Sequence, residues 1–401
     1  MERDQASKFI NQMLAMLVSR GGSDLFLTCD FPPAMKVDGK VVRVSPQALS
    51  GQHTNALARS IMNDKQLAEF ERTKECNFAI SPKDIGRFRV NVFVQQGQTG
   101  LVLRTIPKEL PNIDKLGLPT ILKDLTMAKR GLIIMVGGTG SGKSTSLAAM
   151  IDHRNATACD HIVTVEDPVE FVHPHKNSIV TQREVGIDTL SWDAALKNTL
   201  RQAPDVILMG EIRDRETMQH AVSFAETGHL CMATLHANNA NQALDRIVNF
   251  FPEERRDQLL MDLSLNLRAL ISQRLVPRQD GSGRIAAVEV MVNSPHISDL
   301  IFRGDVAAIK EIMKRSREDG MQTFDQALFD LYEAHFIAEE DALRNADSLG
   351  DLRLMIKLRS VRKAGEAPPP ETRTGAAEWQ IDSSEEDVLR ALAPLPRSPR
   401  A

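Results

Sequence analysis

The apolar positions in the first hundred residues alternate between helical and strand-like spacing. From Gln5 to Val18 they recur every three or four residues, which predicts a helix that ends before the glycine pair at 21–22. We expect a compact α+β domain over residues 1–108, followed by a linker at 109–119. Its other predicted elements are strands at 24–29, 34–37 and 40–44, a second helix at 55–70, and strands at 76–80, 88–94 and 101–106.

From residue 120 to about 290, strand-like runs alternate with helical ones. This pattern is typical of an α/β fold with a mainly parallel sheet covered by helices. Helical spacing at 258–275 and 295–358 predicts further helices, and we place the whole domain at 120–360. Residues 361–401 are rich in proline and poor in apolar residues, which predicts a disordered tail.

Four of the apolar runs in this second domain end in polar residues. The run that ends at Val136 leads into a glycine-rich loop, and three others are followed by Glu166, by Gly210 and Glu211, and by His236. In open α/β sheets, ligands bind at the carboxyl ends of the strands. We therefore expect these four strand ends to converge on one site.

The glycine-rich loop has the spacing GxxxxGKS, which is that of a phosphate-binding P-loop. Glycine reaches positive φ without steric cost, so several backbone N–H groups can converge on phosphate oxygens at the start of the following helix. Lys143 is expected to bridge the β and γ phosphates of ATP, and the Ser144 hydroxyl to bind Mg²⁺. The alternative is a plain glycine-rich turn. The predicted nucleotide-binding residues are Gly137, Gly138, Thr139, Gly140, Ser141, Gly142, Lys143, Ser144 and Thr145.

Composition narrows the function further. The chain has 401 residues, of which 42% are hydrophobic and 25% charged, and no apolar run is long enough to span a bilayer. The first residues do not have the form of a signal peptide, so we expect a cytoplasmic protein. A net charge of −4 with one tyrosine and two tryptophans disfavours nucleic acid as a partner. The four cysteines are far apart in sequence, which predicts small buried side chains rather than zinc ligands.

Hydrolysis of a γ-phosphate requires a positioned water, a metal ion and a cation that stabilises the transition state. Glu166 and Glu211 are the carboxylates at the predicted site. One should activate the water and the other should hold the Mg²⁺ shell, but their positions alone leave the assignment open. The alternative for either carboxylate is a helix cap or an ion pair.

Two histidines and two arginines complete the candidate catalytic residues. His236 at the carboxyl end of its strand is a candidate sensor of the γ-phosphate, whereas His229 at the other end is also compatible with a structural role or a subunit contact. Arg89 and Arg104 lie on predicted strands of the first domain and must project from a face of that sheet. They either face solvent or act as arginine fingers that reach the nucleotide across a domain or subunit boundary.

With these residues in place, residues 1–350 resemble the type IV pilus retraction ATPases, the PilT/PilU family within the bacterial secretion ATPase superfamily. The resemblance rests on several specific motifs. They are GGTGSGKS at 137–144, HIVTVEDPVEF at 161–171, DVILMGEIRD at 205–214, ETGHLCMATLH at 226–236, FRVNVF at 88–93 and LRTIP at 103–107.

The resemblance implies a PAS-like first domain followed by a RecA-like ATPase domain, assembled as a hexamer that uses ATP and Mg²⁺. It implies that Glu166 activates water, that Glu211 is the Walker B carboxylate of the magnesium site, and that Arg104 and Arg89 close on the nucleotide. The implied partners are a PilT-type retraction ATPase and the inner-membrane pilus platform protein. The protein would then lie at the cytoplasmic face of the inner membrane, held there only through its partners.

Two departures from PilT indicate the PilU side of the family. Where PilT carries AIRNLIRE, this chain has HISDLIFR at 296–303, with both arginines of the motif replaced, and its proline-rich extension is not typical of PilT. The resemblance therefore implies a motor that supports pilus retraction together with PilT. The alternatives are an accessory ring subunit without essential turnover and a secretion or pilus-assembly ATPase, although those usually carry a tetracysteine motif that is missing here.

Overall fold

The computed structural model describes residues 2–37, 39–106 and 109–362, which form two compact units on either side of Lys108. The first unit contains a six-stranded antiparallel sheet with the strand order β3-β2-β1-β6-β5-β4. Its strands are β1 (Asp24–Leu27), β2 (Ala34–Val37), β3 (Lys40–Arg43), β4 (Glu75–Ile80), β5 (Arg87–Gln95) and β6 (Gln98–Ile106), and its helices are α1 (Arg3–Ser19), α2 (Gly51–Ser60) and α3 (Asp64–Thr73).

The predicted first helix is present, and its periodic apolar residues, including Phe9, Met13 and Leu17, are buried in the core of this unit. The predicted single helix at 55–70 is wrong, because two helices occupy this region. Asn63 separates them: its side chain accepts a hydrogen bond from the Gln66 backbone, and the Gln66 side chain accepts one from the Asn63 backbone. This reciprocal capping box begins α3.

The second unit contains a seven-stranded sheet with the order β13-β12-β7-β11-β10-β8-β9. All neighbouring strands are parallel except β13, which is antiparallel to β12. Its strands are β7 (Gly131–Val136), β8 (His161–Glu166), β9 (Ile179–Glu184), β10 (Val206–Met209), β11 (Leu230–Leu235), β12 (Leu267–Pro277) and β13 (Arg284–Val292).

Helices cover both faces of this sheet. Successive residues of β7 show the two layers, since Ile134 packs into one apolar cluster while Ile133 and Met135 pack into another. Burial on both faces explains why the central strands are continuous apolar runs. The helices are α4 (Ile121–Thr126), α5 (Lys143–Thr157), α6 (Trp192–Thr199), α7 (Arg215–Glu226), α8 (Ala240–Asn249), α9 (Glu253–Asn266), α10 (Pro295–Phe302), α11 (Val306–Arg315), α12 (Phe324–Glu333), α13 (Glu339–Arg344) and α14 (Leu349–Arg359).

The helix predicted at 258–275 is wrong in its second half. Helix α9 ends at Asn266, and the chain continues directly as β12, which pairs with β7 on one side and β13 on the other. These pairings satisfy the backbone of Leu267–Pro277 and override its helical spacing. The prediction of helices at 295–358 is confirmed by α10 to α14.

The described part of the second unit extends to Arg362. The Arg362 guanidinium donates to the backbone carbonyls of Tyr332 and Ile337, at 2.7 and 3.2 Å, so residue 362 still packs on this unit. The rest of the predicted tail, 363–401, lies outside the described residues.

No described helix is long and apolar enough to cross a membrane. The prediction for the cysteines holds for Cys76 and Cys231, which are buried, but is wrong for Cys159, which is exposed.

Candidate active site

The loop from β7 to α5 is shaped by close contact with β12. Gly142, with φ of +87°, precedes the first residue of α5, and a Cβ at this position would lie 2.6 Å from the Gln273 side chain. The Gln273 amide donates to the Ser141 carbonyl at 2.8 Å, and its oxygen accepts from the Ser146 hydroxyl at 2.7 Å. Gln273 therefore holds both the loop and the first turn of the helix in place.

Lys143 lies at the centre of this loop and is largely buried. Its ammonium group donates to the carbonyl oxygens of Gly137 and Gly138, at 2.8 and 2.9 Å. Burial lowers the pKa of Lys143, and the nearby carboxylates of Glu211 and Glu170 oppose that shift. The Ser141 hydroxyl is buried and has no hydrogen-bond partner within the described residues. A phosphate group fits this loop, because it would offer acceptors to both side chains.

The four strand ends identified in the sequence meet at one cavity of about 450 Å³. Residues 139–145 of the loop form one side, and Glu166, Glu211 and His236 lie at the ends of β8, β10 and β11. Gly137 and Gly138 take part through the carbonyl groups that bind Lys143. The other lining residues are Asp167, Pro168, Glu170, Trp192, Gly210, Arg213, Thr234, Leu275 and Arg284.

Glu166 is oriented by hydrogen bonds from two polar side chains. Its Oε1 accepts hydrogen bonds from the Thr164 hydroxyl at 2.6 Å and from the Gln182 amide at 3.2 Å. Desolvation raises the pKa of Glu166, and these two hydrogen bonds oppose part of that rise. A carboxylate that is oriented and has a raised pKa is suited to accept a proton from water.

Glu211 is bound on both of its oxygens by cationic or polar side chains. Oε2 accepts from Arg213 Nε at 2.9 Å, and Oε1 lies 3.1 Å from His236 Nε2. The backbone next to Glu211 is fixed, because the Gly210 N–H donates to Val165 at 2.8 Å and the Gly210 carbonyl accepts from the Thr234 hydroxyl at 2.5 Å. Neighbouring strands thus fix the backbone from which the Glu211 side chain extends.

Trp192 and Arg213 belong to the cavity and were not identified in the sequence. Trp192 packs against Gly210, where a Cβ would lie 3.1 Å from the indole ring, so a larger residue before Glu211 would press on this ring. The Arg213 guanidinium lies over this ring, 5.7 Å from its centre, and also lies 3.5 Å from the Asp167 carboxylate. The sequence did offer a signal for Arg213, because it is a charged residue only two positions after the candidate carboxylate Glu211.

The residues present fit a Mg²⁺ ion bound together with a nucleotide. The Ser144 hydroxyl and the Glu211 carboxylate line the same cavity, next to the loop that fits phosphate. Hydroxyl and carboxylate oxygens are the ligands that Mg²⁺ prefers, usually with several retained waters and oxygens of the substrate phosphates.

Comparison with known proteins identifies the family to which this chain belongs. The family model described as "Type II/IV secretion system protein" matches residues 2–336. The chain belongs to this family. Pseudomonas aeruginosa "Type IV pilus ATPase PilU" is 58% identical over 349 residues, which cover 87% of this chain and 91% of that protein. The PilT retraction ATPase of the same organism is 42% identical over 337 residues, covering 84% of this chain and 98% of PilT.

A solved structure agrees with these relatives. The pilus retraction motor PilT with bound ADP has a TM-score of 0.82 and 40% identity, and the match covers 86% of this chain and 99% of that one. This member of the type II/IV secretion family is therefore an ATPase of the secretion ATPase superfamily. Its similarity to the P. aeruginosa PilU exceeds its similarity to PilT.

In this secretion ATPase, three candidate catalytic residues lie outside the cavity of the second unit. His229 precedes β11, at the end of the strand opposite His236, and its ring bonds to the Thr227 hydroxyl and the Phe224 carbonyl. A catalytic role for His229 therefore stays a prediction. Arg89 and Arg104 are cross-strand neighbours on β5 and β6 of the first unit, and Arg104 Nε donates to Asp24 at 2.7 Å.

Proposed function

We propose that this protein is an ATP-hydrolysing motor of the type IV pilus machinery that supports pilus retraction and twitching motility together with a PilT-type ATPase. It works as a hexameric ring in the cytoplasm, at the face of the inner membrane where the pilus platform protein lies. The identity to PilU over most of both chains supports this proposal, as does the likeness to the PilT motor. On the same basis we propose that the first unit is PAS-like and the second RecA-like.

One observation carries the proposed chemistry: Lys143, Glu166 and Glu211 line a single cavity at the carboxyl ends of parallel strands. Lys143 exchanges its two loop carbonyls for the β and γ phosphates of ATP. Ser144 and Glu211 hold Mg²⁺, which when bound neutralises charge on the phosphates. Glu166 orients the attacking water and takes its proton, because its carboxylate is already fixed by Thr164 and Gln182.

The first unit supplies a cation in this proposal. Arg89 and Arg104 lie side by side across β5 and β6, and the Arg104 side chain is 67% exposed although it pairs with the buried Asp24. An exposed guanidinium fixed at its base by an acid is suited to reach phosphate oxygens across a boundary between chains. We propose that one of the two arginines acts as the arginine finger of a neighbouring site.

A second function, an accessory ring that assists PilT without essential turnover, is favoured by helix α10. The two positions at which the PilT motif carries arginine are Ser298 and Phe302 here. The Ser298 hydroxyl donates to the Ser264 carbonyl at 2.7 Å, and the Phe302 side chain is 57% exposed. The helix is therefore folded but lacks the charges that PilT presents, which is consistent with a ring that depends on PilT.

Substitution of the loop lysine tests the proposed hydrolysis. Lys143→Ala removes the cation that bridges the phosphates, so Mg²⁺-dependent ATP hydrolysis should fall at least about 100-fold. Phosphate release by the purified full chain measures this. Lys129→Ala, an exposed lysine outside the cavity, is the matched control and should retain activity. Undiminished hydrolysis in Lys143→Ala would refute the assignment of this cavity as the ATPase site.

The same variant distinguishes the two functions in cells. If turnover is the essential contribution, a strain that carries Lys143→Ala in place of the native protein should lose pilus-dependent motility. If the accessory function is correct, motility should persist and the protein should still co-purify with the PilT-type ATPase. Loss of motility with intact co-purification would exclude the accessory function.

A further inference from the structure

The carboxylate expected to serve the magnesium site is not free in this structure. Arg213 Nε lies 2.9 Å from Glu211 Oε2, and His236 Nε2 lies 3.1 Å from Oε1. The guanidinium also lies 3.5 Å from Asp167, so it sits between two carboxylates. Both acids and the arginine line the cavity that includes the phosphate-binding loop.

The arginine is arranged so that it can leave this position. Its backbone is anchored at the start of α7, where the Arg213 N–H donates to the Thr217 hydroxyl at 3.1 Å. Its side chain, in contrast, is 46% exposed and rests on the flat face of Trp192. An exposed ion pair is held only weakly, since water competes for both partners. The Glu211 side chain is 25% exposed, so its oxygens are also open to other cations.

Arg213 and a hydrated divalent cation therefore compete for the same oxygens. A carboxylate that binds Mg²⁺ through water must direct its lone pairs at that water, and a guanidinium on Oε2 uses one of these directions. The planar guanidinium directs Nε at Glu211 and Nη2 at Asp167, so it can neutralise both carboxylates from one position. It is thus suited to hold the charge of Glu211 while no metal ion is bound.

We propose that Arg213 is a positioning residue that holds Glu211 in the nucleotide-free pocket and releases it to the hydrated Mg²⁺ that enters with ATP. This inference rests on the proposed function. Arg213 keeps the Glu211 carboxylate oriented and neutralised, and it makes the binding of Mg²⁺ weaker than the carboxylate alone would allow. An arginine that only stabilised the fold, without contact to Glu211, would have no such effect on metal affinity.

The test measures the Mg²⁺ dependence of nucleotide binding by the full chain. A fluorescent ADP analogue is held at a fixed concentration and Mg²⁺ is titrated. Arg213→Gln removes the competing cation, so the Mg²⁺ concentration at half-saturation should fall about three- to tenfold, the range for loss of a partly exposed charged hydrogen bond. Arg213→Lys keeps a charge without the planar fork, and its midpoint should lie between those of the wild type and Arg213→Gln.

The matched control is Arg215→Gln. It removes the same charge two residues further on, from an exposed side chain that does not line the cavity. Its midpoint should stay within about twofold of the wild type, because solvent screens the more distant charge. Thermal unfolding without nucleotide shows that each variant is folded.

An unchanged or higher Mg²⁺ midpoint in Arg213→Gln, when the wild type binds and hydrolyses ATP normally, would overturn this inference alone. An equal fall in Arg215→Gln would also overturn it, because the effect would then come from general charge. Failure of the wild-type protein to bind the analogue at any Mg²⁺ concentration would overturn both the inference and the proposed function.

Discussion

The two ends of the parallel sheet in the second unit contain similar residue types but arrange them differently. At the amino end, the His161 N–H donates to Asp205 at 2.8 Å, and the ring of His229 bonds to Thr227 and to a backbone carbonyl. At the carboxyl end, Glu211 Oε1 and His236 Nε2 lie 3.1 Å apart, and both residues border an open cavity. Polar groups at the amino end thus join neighbouring segments, whereas those at the carboxyl end face a space for a ligand.

The direction of the strands explains this difference. In a parallel sheet, every loop that leaves a carboxyl end begins at the same edge, and the first helix turn that follows β7 presents its free N–H groups there. The positive end of α5 adds to the attraction for an anion. A histidine or carboxylate is therefore a candidate for catalysis according to the strand end at which it lies, and its residue type alone is not sufficient.

The strongest test of this comparison is Glu166→Gln at the carboxyl end. Glutamine keeps the shape of the side chain and an oxygen that accepts from Thr164 and Gln182, but it cannot take a proton. ATP hydrolysis should fall at least about 100-fold, the scale for loss of a general base, while ATP binding persists. Phosphate release and binding of a fluorescent ATP analogue measure the two effects.

The pKa of Glu166 adds a second expectation. Its pKa is raised in the folded protein, so the ionised carboxylate opposes folding, and this cost grows as the pH rises through the folded pKa. Glu166→Gln should therefore be at least as stable as the wild type above neutral pH, and the difference should vanish in acid. Normal turnover in Glu166→Gln would show that Glu166 is not the general base. Glu211 would then be the remaining candidate for that role.

A direct comparison of the two ends uses the two histidines. His236→Asn should lower hydrolysis about tenfold, because Glu211 loses one of the two side chains that contact its oxygens. His229→Asn should change the rate by less than about twofold, since within the described part of the chain its ring bonds to groups at its own edge of the sheet. Steady-state rates of the two full-length variants measure this difference.

Equal losses in the two variants would contradict the comparison. They would mean that the amino end of β11 also contributes to a site, which in an assembled ring requires a neighbouring chain. Mixing His229→Asn with Lys143→Ala protein would then distinguish a site shared between chains from a folding defect, since only a shared site can regain activity by mixing.

The sequence predicted the residues that depend on local spacing. The loop at 137–145 and the acids at the ends of β8 and β10 follow from short motifs after apolar runs, and the structure brings them to one cavity. Roles for these residues stay predictions. Arg213 was missed because its surroundings include Trp192, which lies at the start of α6 and comes close to Gly210 only in the folded chain.

One error in the predicted fold has a similar cause, because it also depends on contacts between distant segments. Residues 267–275 have apolar residues at helical spacing, and pairing with β7 and β13 makes them a strand. That error also concealed Gln273, whose contacts with Ser141 and Ser146 shape the phosphate-binding loop. By contrast, the division of 55–70 into two helices had a local signal, because Asn63 and Gln66 form a capping box that was not recognised.

The smallest predicted effect concerns Glu289, a second buried glutamate of the same unit. It is 2% exposed, lies outside the cavity, and accepts hydrogen bonds from the Ala240 N–H at 2.7 Å and the Ser272 hydroxyl at 3.0 Å. Desolvation, with a smaller contribution from Asp347, raises the pKa of Glu289 to about 7. Glu289 and Glu166 therefore both have a raised pKa, but of the two only Glu166 lines the cavity.

Because the folded pKa exceeds that of the unfolded chain, Glu289 binds more protons when folded, and stability falls as the pH rises from about 4.5 to about 7. Glu289→Gln keeps an oxygen for both donors and removes the buried charge. It should stabilise the protein by on the order of 1 kcal/mol above pH 7, seen as a rise of a few degrees in Tm, with no gain near pH 4.5. Hydrolysis should stay within about twofold of the wild type. A loss of hydrolysis as large as that of Glu166→Gln would mean that a raised pKa identifies the catalytic acids here better than position at the strand ends does.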